Sequence, residues 1–239
     1  MSNEDLENLK IKLGAELGEL FYHVKQGVFL LRSGWRTYRM FFGANKERVD
    51  MLNSISGPVA KVLEQTLFEA TLLGLRRITD KPTYKGSKHT ISIKSLSKHF
   101  SGSDLATMKR LVNQAENAAS FARNWSSKKI AHSDFQYRTD AIALEPASRA
   151  KVEQAIDAVA KIVEWISSKK LDTHQLTHPI SVAHDELWVL KHLYEGALVM
   201  KQKKARSREY SMQSRYDERK ALYEYPNWMQ PEDPELNTD

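Results

Sequence analysis

Apolar residues recur at three- and four-residue steps along most of this chain. The series nearest the amino terminus consists of Leu6, Leu9, Leu13, Leu17, Leu20 and Phe21. Because an α-helix has 3.6 residues per turn, such a series lies on one buried face. The pattern predicts a long first helix that is capped by Ser2 and ends at Phe42, with Gly27 and Gly34 as the predicted bends.

The same spacing predicts further long helices. Their predicted ranges are 46–79, 103–125, 145–169 and from residue 180 into a basic stretch. The first of these is predicted to kink at Gly57-Pro58, because proline removes a backbone donor. Alternating strand patterns are absent, so the predicted fold class is all-α, a bundle of four to five long helices with no sheet larger than a short hairpin.

A polar segment interrupts the helical pattern after Asp80. It contains Pro82 and Gly86 among lysines and hydroxyl residues, and it extends to Ser103. Segments of this composition form exposed connections, which often carry function. We expect Ile91, Ile93 and Leu96 to anchor this connection, which extends from Asp80 to Ser103, to the core.

The composition is that of an ordinary globular protein. The 239 residues contain 10 Gly, 7 Pro and no Cys, which favours long helices and excludes disulfides and thiolate metal sites. We expect one domain over residues 1–220, including a basic helix over 201–220, followed by an acidic, flexible tail over 221–239. The acidic start Ser2-Asn3-Glu4-Asp5 does not resemble a signal peptide, and no apolar run reaches about 18 residues. The expected location is the cytoplasm, without a membrane partner.

Positive charge is concentrated near the carboxyl terminus. The formal net charge is +6, and residues 201–220 hold eight basic and three acidic side chains, a local net of +5. Such a stretch can bind RNA phosphates or simply form a solvated helix end. The residues predicted to bind RNA here are Lys203, Lys204, Arg206 and Arg208.

Sequence signatures of common cofactor sites are absent. There is no P-loop, no glycine-rich dinucleotide turn and no nucleophile elbow. The histidines His174, His178 and His184 are close in sequence, but they lie in a loop and a helix start without a convincing set of carboxylates, so their spacing is more consistent with chance than with a metal site. We therefore expect neither a metal nor an organic cofactor.

Three short blocks resemble a known family. They are Trp35-Arg36-Thr37-Tyr38-Arg39-Met40-Phe41-Phe42-Gly43, Leu75-Arg76-Arg77-Ile78-Thr79-Asp80, and the segment from Arg123 that ends Ile130-Ala131-His132-Ser133-Asp134. They are similar to the Trp-x-x-Tyr-x-x-Leu-Phe element, the Ser-Arg-Leu-Thr-Asp helix end and the Arg-x(4–6)-His signature of the U-type abortive-infection branch of the HEPN superfamily. In this branch the signature often reads Trp-Arg-Asn-Lys-x-Ile-Ala-His-x-Asp.

The resemblance implies an α-helical bundle from bacterial defence and toxin systems. Such proteins commonly form homodimers, which bring two Arg/His motifs into one site for metal-independent RNA cleavage. The implied partners are RNA, a second copy of the chain and an antitoxin or other defence-system protein. His132 would transfer protons in the reaction, because an imidazole titrates near neutral pH; otherwise it closes a helix end by hydrogen bonding.

One departure concerns the catalytic cation. When Trp125 and His132 are aligned with the family, its Arg and Asn positions fall on Ser126 and Ser127, while an Arg123-Asn124 pair lies three residues earlier. In a regular helix the nine residues from Arg123 to His132 turn through about 900°, so the two side chains would face opposite ways. A shared site would need a helix break at Ser126-Ser127 or an Arg123 from the partner chain.

The remaining residues of the candidate site each have a structural alternative. Lys128 is the rival for the missing cation and Lys129 a predicted RNA contact, although either could be solvated. Asp134 either orients His132 or caps the next segment. Arg77 and Asp80 form a site wall or an internal ion pair, whereas Trp35 and Tyr38 are predicted to be core residues.

Two functions follow from this reading. The first is a HEPN-type endoribonuclease that acts in phage defence or as a toxin, with Arg123, Asn124, Lys128, His132 and Asp134 as candidate catalytic residues. The second is a degenerate relative that binds RNA or a partner protein without cleavage, which Ser126 and Ser127 favour.

Overall fold

The computed structural model describes residues 3–84, 88–131, 139, 143–178 and 185–229. Its helices are α1 (Asn3–Leu13), α2 (Ala15–Tyr38), α3 (Lys46–Ile78), α4 (Gly102–Ala118), α5 (Ser120–Trp125), α6 (Arg149–Leu171), α7 (Asp185–Met212) and α8 (Tyr216–Ala221). Two π turns, Arg39–Gly43 and Ser126–Ile130, extend α2 and α5, and 3₁₀ helices cover Ile93–His99 and Asn227–Met229. Strands β1 (Thr83–Tyr84) and β2 (Lys88–His89) form an antiparallel hairpin. The all-α prediction is confirmed.

The predicted first helix is divided into two helices at Gly14. This residue has φ 85°, a left-handed backbone that glycine adopts without steric cost. The chain reverses there, and α1 packs on α2 so closely that a Cβ at Gly18 would lie 2.6 Å from the backbone of Leu9 and Lys10. Gly27 and Gly34, the two positions at which the sequence allowed a bend, both lie within α2.

The kink predicted in the second helix is present in α3. Ser56, directly before Gly57-Pro58, has non-helical φ −159° and ψ 96°. The helix starts at Asn45, whose side chain accepts a hydrogen bond from the backbone N–H of Arg48 at 3.0 Å. Beyond the kink α3 packs against α2, and its carboxyl-terminal half leads to the candidate site.

The main core lies among α2, α3, α4 and α6. Its fully buried side chains include Phe21, Leu72, Leu75, Met108 and Ile156. Such side chains stabilise the fold through the apolar surface that they remove from water. This core holds the helices that carry the candidate site.

The connection after α3 is more ordered than its composition predicts. Ile93 and Leu96 are fully buried from the 3₁₀ helix, which confirms two of the three predicted anchors. Ile91 is 47% exposed, so the third anchor is wrong. The 3₁₀ helix Ile93–His99 therefore covers part of the core.

A carboxylate on α6 holds α2 in place. Glu153 accepts a hydrogen bond from the indole N–H of Trp35 at 2.6 Å and one from Arg39 at 3.2 Å. The buried guanidinium of Arg32 pairs with Asp157 at 2.7 Å and lies 3.9 Å from Glu153. Trp35 is 3% exposed, so its predicted place in the core is confirmed.

A second, smaller apolar cluster seats the start of α7. Leu190 packs there with Phe42, Leu52 and Ala60. Close by, Glu186 accepts hydrogen bonds from Arg36 at 2.8 Å and from the Thr37 hydroxyl at 3.3 Å. Burial alone would raise the pKa of Glu186, but bonds from its own backbone N–H, Arg36 and Thr37 outweigh burial and lower that pKa.

Beyond this cluster α7 continues as an arm, which comprises residues 194–229. α8 and the chain after it turn back along α7, so that the Tyr225 hydroxyl donates to Met200 Sδ at 3.2 Å. The ammonium group of Lys203 lies 4.9 Å from the centre of the Tyr225 ring. Tyr225 of the expected tail thus contacts α7, and residues 230–239 fall outside the described residues.

Candidate functional site

Aromatic side chains join the first and third family-like blocks. The Trp35 and Tyr38 rings are stacked, with centres 4.9 Å apart and an angle of 10°. Phe68 of α3 lies 5.5 Å from the Tyr38 ring and 5.6 Å from that of Trp125. The two blocks, which are distant in sequence, therefore meet across α3.

Tyr38 remains a neutral hydroxyl in this cluster. Burial raises its pKa, nearby Glu64 raises it further, and Arg149 opposes both. The group therefore offers a proton donor rather than an anion at neutral pH. The contacts of its ring with Trp35, Phe42 and Phe68 make it a packing residue of this cluster.

The second block is tied to the third by two arginines. Arg76 Nη1 at the end of α3 donates a hydrogen bond to Ser126 Oγ at 2.6 Å. Arg123 Nη2 on α5 donates a hydrogen bond to the carbonyl oxygen of Thr79, the residue that follows α3, at 3.2 Å. Since the last carbonyls of a helix lack intrahelical partners, Arg123 closes the end of α3. All three blocks thus converge around α5.

The helix is not broken at the two serines. Ser126 has helical φ −63° and ψ −42°, and the backbone N–H of Ala131 donates to its carbonyl at 2.8 Å in a π turn. The Ser127 hydroxyl bonds back to the carbonyls of Arg123 and Asn124, so it bonds within the helix and does not break it. The break that a shared site within one chain would need is therefore absent at these serines; the helix is interrupted at Ala119, between α4 and α5.

The π turn also changes the phase of the helix. A π turn holds one residue more than an α turn, so residues that follow it are rotated by about 100° relative to a regular α-helix. The half-turn offset predicted between Arg123 and His132 assumed a regular helix. That assumption fails for the segment Ser126–Ile130.

Asn124 and Trp125 hold the chain that leads into α6. The side-chain oxygen of Asn124 accepts from the Glu145 backbone N–H at 3.2 Å, and the Trp125 indole N–H donates to the Glu145 carbonyl at 2.7 Å. These two contacts clamp one peptide segment against α5. Asn124, a candidate catalytic residue, therefore has a defined structural contact.

The two lysines of the π turn differ in their surroundings. Lys129 Nζ pairs with Glu69 of α3 at 2.9 Å and lies 5.1 Å from the centre of the Trp125 ring. Lys128 is half-buried, and among the described residues no carboxylate pairs with it. Of the pair, Lys128 is thus the one whose charge is not offset within the described part of the chain.

Arg77 and Asp80 do not form a pair. Asp80 lies 4.0 Å from Arg76 Nε, whereas Arg77 lines a groove of about 390 Å³ between α2 and α3. Arg77 is the arginine predicted from the sequence, whereas Arg76 is the one that contacts Ser126. Helical spacing could have indicated Arg76, because position 76 follows the buried Leu72 by four residues. It therefore lies on the same side of α3 as Leu72, towards α5.

Several predicted residues have no structural description. His132 and Asp134, and His184 among the grouped histidines, lie outside the described residues. In the part that is described, no cluster of three His, Asp or Glu side chains has the proximity to hold a metal ion. Likewise, none of the described helices is long and apolar enough to span a membrane.

The predicted RNA-binding residues of the arm lie on the exposed part of α7. Lys204, Arg206 and Arg208 are exposed, and Lys203 is half-covered by the Tyr225 ring. Arginines contact rings in the same way: Arg215 lies 4.5 Å from the centre of the Tyr210 ring. The arm therefore carries charged groups beside aromatic faces.

An all-α bundle in which these blocks converge defines a HEPN-type protein. The family model described as AbiU2, of the HEPN superfamily, matches residues 14–186. The chain therefore belongs to this HEPN abortive-infection family. No curated protein and no solved structure matches the chain. The matched range begins at the turn before α2 and ends at the second residue of α7, so α1 and the arm lie outside it.

Proposed function

We propose that the protein is a metal-independent endoribonuclease of a bacterial phage-defence or toxin system. The observation that carries this proposal is that two arginines join the end of α3 to α5 and its π turn, Arg76 through Ser126 and Arg123 through Thr79. Lys128 and His132 follow in the same segment of the sequence. Cleavage of RNA through its 2′-hydroxyl needs proton transfer and positive charge at one place. This segment offers both.

The proposed reaction uses the RNA's own 2′-hydroxyl as nucleophile. The 2′-hydroxyl loses its proton to a base as its oxygen attacks the adjacent phosphorus, the bond from phosphorus to the 5′-oxygen breaks, and the leaving oxygen takes up a proton from an acid. His132 accepts or donates one of these protons, and Asp134 orients it. Arg123 and Lys128 are the cations that the sequence proposes for the developing phosphorane charge, and Asn124 positions the segment that carries them.

We propose that the arm binds RNA through its phosphates. Lys203, Lys204, Arg206 and Arg208 supply the charge, and Lys129 adds to it beside the site. Replacing the four arm residues by Gln should weaken RNA binding and reduce its dependence on salt, because fewer counterions are then released. If the salt slope did not change, the arm would be a solvated helix that does not contact RNA phosphates.

The assembly and setting are further parts of the proposal. A homodimer is supported by exposed apolar residues that share one face of α3 beyond its kink, namely Val59, Val62 and Leu63, and by the exposed Ile55 directly before the kink. A second partner class is an antitoxin or another defence-system protein. We place the protein in the cytoplasm and treat residues 1–220 as one HEPN-like domain followed by a tail.

A second candidate function is binding of RNA or a protein partner without cleavage. It is favoured by Ser126 and Ser127 at the positions where the family carries Arg and Asn, and by the structural contacts of Arg123 and Asn124. In that case the cationic surfaces would bind RNA but leave it intact.

Incubation of purified protein with total RNA in EDTA tests the proposal. Discrete fragments are expected from the wild type and none from His132→Ala. His174→Ala, which removes an exposed histidine elsewhere, is the matched control and should cut normally. Intact RNA at high wild-type concentration would decide for the binding function.

A further inference from the structure

Arg76 contacts the position where a catalytic arginine is missing. We propose that Arg76 supplies the guanidinium that binds the reacting phosphate, in place of the arginine that the family signature has at the position of Ser126. This inference rests on the proposed function above. It names the cation of that site, and it moves that role from α5 to the end of α3.

The geometry of Arg76 suits such a role. Its Nη1 donates to Ser126 Oγ at 2.6 Å, and Ser126 is fully buried, so the contact fixes one edge of the guanidinium against the protein. The Arg76 side chain is 27% exposed, and Asp80 lies 4.0 Å from its Nε. A guanidinium has five N–H donors, so one bond to a hydroxyl leaves capacity for a phosphate.

The two contacting positions carry exchanged residues relative to the family pattern. When Thr79-Asp80 is aligned with the Ser-Arg-Leu-Thr-Asp element, its Ser falls on Arg76. The Arg of the signature falls on Ser126. Because these two side chains touch in the structure, the exchange keeps one guanidinium and one hydroxyl in the same place. The guanidinium charge then comes from the end of α3 and not from the π turn after α5.

The other nearby cations are less suited to this position. Arg123 is bound to the carbonyl of Thr79 and closes α3. Lys129 is paired with Glu69, and Lys128 is a point charge without the planar fork that matches a phosphate. Arg76 alone among these residues combines a guanidinium with a contact to Ser126.

The π turn joins Ser126, which Arg76 contacts, to Ala131, the last described residue before His132. The backbone N–H of Ala131 donates to the carbonyl of Ser126 at 2.8 Å. Ser126 therefore accepts one hydrogen bond from Arg76 at its hydroxyl and one from the Ala131 backbone N–H at its carbonyl. His132 follows Ala131 in the sequence. An i→i+5 turn of this kind is rare in proteins as a whole, but those that occur are frequently found at functional sites.

An exchange of the two residues tests the inference. The variants are Arg76→Ser, Ser126→Arg with Arg76→Ser, and Arg76→Lys, with Arg110→Ser on the exposed face of α4 as the matched control. In the EDTA cleavage assay Arg76→Ser should lose about 100- to 1,000-fold in kcat, as is typical when a transition-state donor is removed. The exchanged double variant should recover most of the rate, Arg76→Lys only part, and Arg110→Ser should equal the wild type.

A binding measurement separates this inference from the proposed function. The probe is a short RNA with 2′-O-methyl groups, which cannot be cut, titrated by fluorescence anisotropy at several salt concentrations. Arg76→Ser should lower the salt slope by about one phosphate contact, and the exchanged double variant should restore it. These results are expected even if the wild type fails to cleave RNA, which would overturn the proposed function alone.

The inference would be overturned by an Arg76→Ser protein that melts like the wild type and binds and cleaves RNA within twofold of it. It would also be overturned if the exchanged double variant were folded but no better than Arg76→Ser in both assays. In that case Arg76 would be a packing residue of Ser126, and its charge would have no part in binding phosphate.

Discussion

Glu153→Ala should destabilise the protein because Glu153 joins α2 to α6. Its carboxylate accepts the Trp35 indole N–H at 2.6 Å and the Arg39 guanidinium at 3.2 Å, and it lies 3.9 Å from Arg32. Truncation leaves the buried indole N–H without this acceptor. Arg32 keeps Asp157, so its charge is still compensated.

The magnitude follows from the burial of each partner. An unsatisfied buried N–H costs about 1–3 kcal/mol. The Arg39 side chain is 57% exposed, so its ion pair is screened by solvent and contributes less than about 1 kcal/mol. With the weakened Arg32 pair, the expected loss is about 2–4 kcal/mol, or roughly 4–16 °C in Tm for a chain of this size.

Thermal and urea unfolding measure this effect. Gln154→Ala, at the exposed neighbouring position of α6, is the control and should melt within about 1–2 °C of the wild type. The m-value should not change, because the unfolded surface is the same. If Glu153→Ala melted like Gln154→Ala, the carboxylate would not be the link between α2 and α6, and the role assigned to Trp35 would be refuted.

Three further perturbations test other parts of the structure. Gly18→Ala should destabilise by about 1–3 kcal/mol because its Cβ meets the α1 backbone, whereas Gly34→Ala, with open space, should be neutral or stabilising in the same melt. Because the pKa of Glu186 is lowered in the fold, its contribution is present above its ordinary value of 4.5 and is lost as the pH falls through the folded value; the stability difference between the wild type and Glu186→Gln should shrink between about pH 6 and pH 3, and a constant difference would contradict this. Val59→Glu with Val62→Glu should convert a homodimer to monomer in sedimentation at tens of micromolar without loss of helicity; an unchanged mass would exclude this face of α3 as the interface.

Hydrophobic spacing predicted the helices but not every interruption. The kink before Pro58 could be predicted because proline lacks a backbone N–H donor and disrupts the interior of a helix. The turn at Gly14 was not, since glycine there looks the same in sequence as the helical Gly27 and Gly34. Only the packing of α1 on Gly18 distinguishes them, and that contact depends on tertiary structure.

The candidate segment was predicted from its likeness to a family, but its local geometry could not be predicted in the same way. Serine competes for backbone hydrogen bonds, which made a break at Ser126-Ser127 a reasonable prediction. In the structure Ser126 is fully buried beneath Arg76, and Ser127 bonds back within the helix. Tertiary contacts from α3 therefore decided the conformation, and a local propensity could not reveal them.

The choice between adjacent arginines shows the same limit. Arg76 and Arg77 differ by one position, which is about 100° around α3. That rotation places one against Ser126 and the other in the groove between α2 and α3. The sequence marks both as basic, but only the position of α5 shows which one belongs to the candidate site.

The chemical ends of the RNA produced in EDTA test the central claim most directly. Attack by the 2′-hydroxyl leaves a 2′,3′-cyclic phosphate, or the 3′-phosphate formed from it, on one fragment and a 5′-hydroxyl on the other. Mass spectrometry of a defined oligonucleotide should show these ends with the wild type, and a single 2′-deoxy nucleotide at the cut should abolish cleavage. Intact oligonucleotide with excess wild-type protein, or fragments with 5′-phosphate ends, would contradict a metal-independent ribonuclease of this kind.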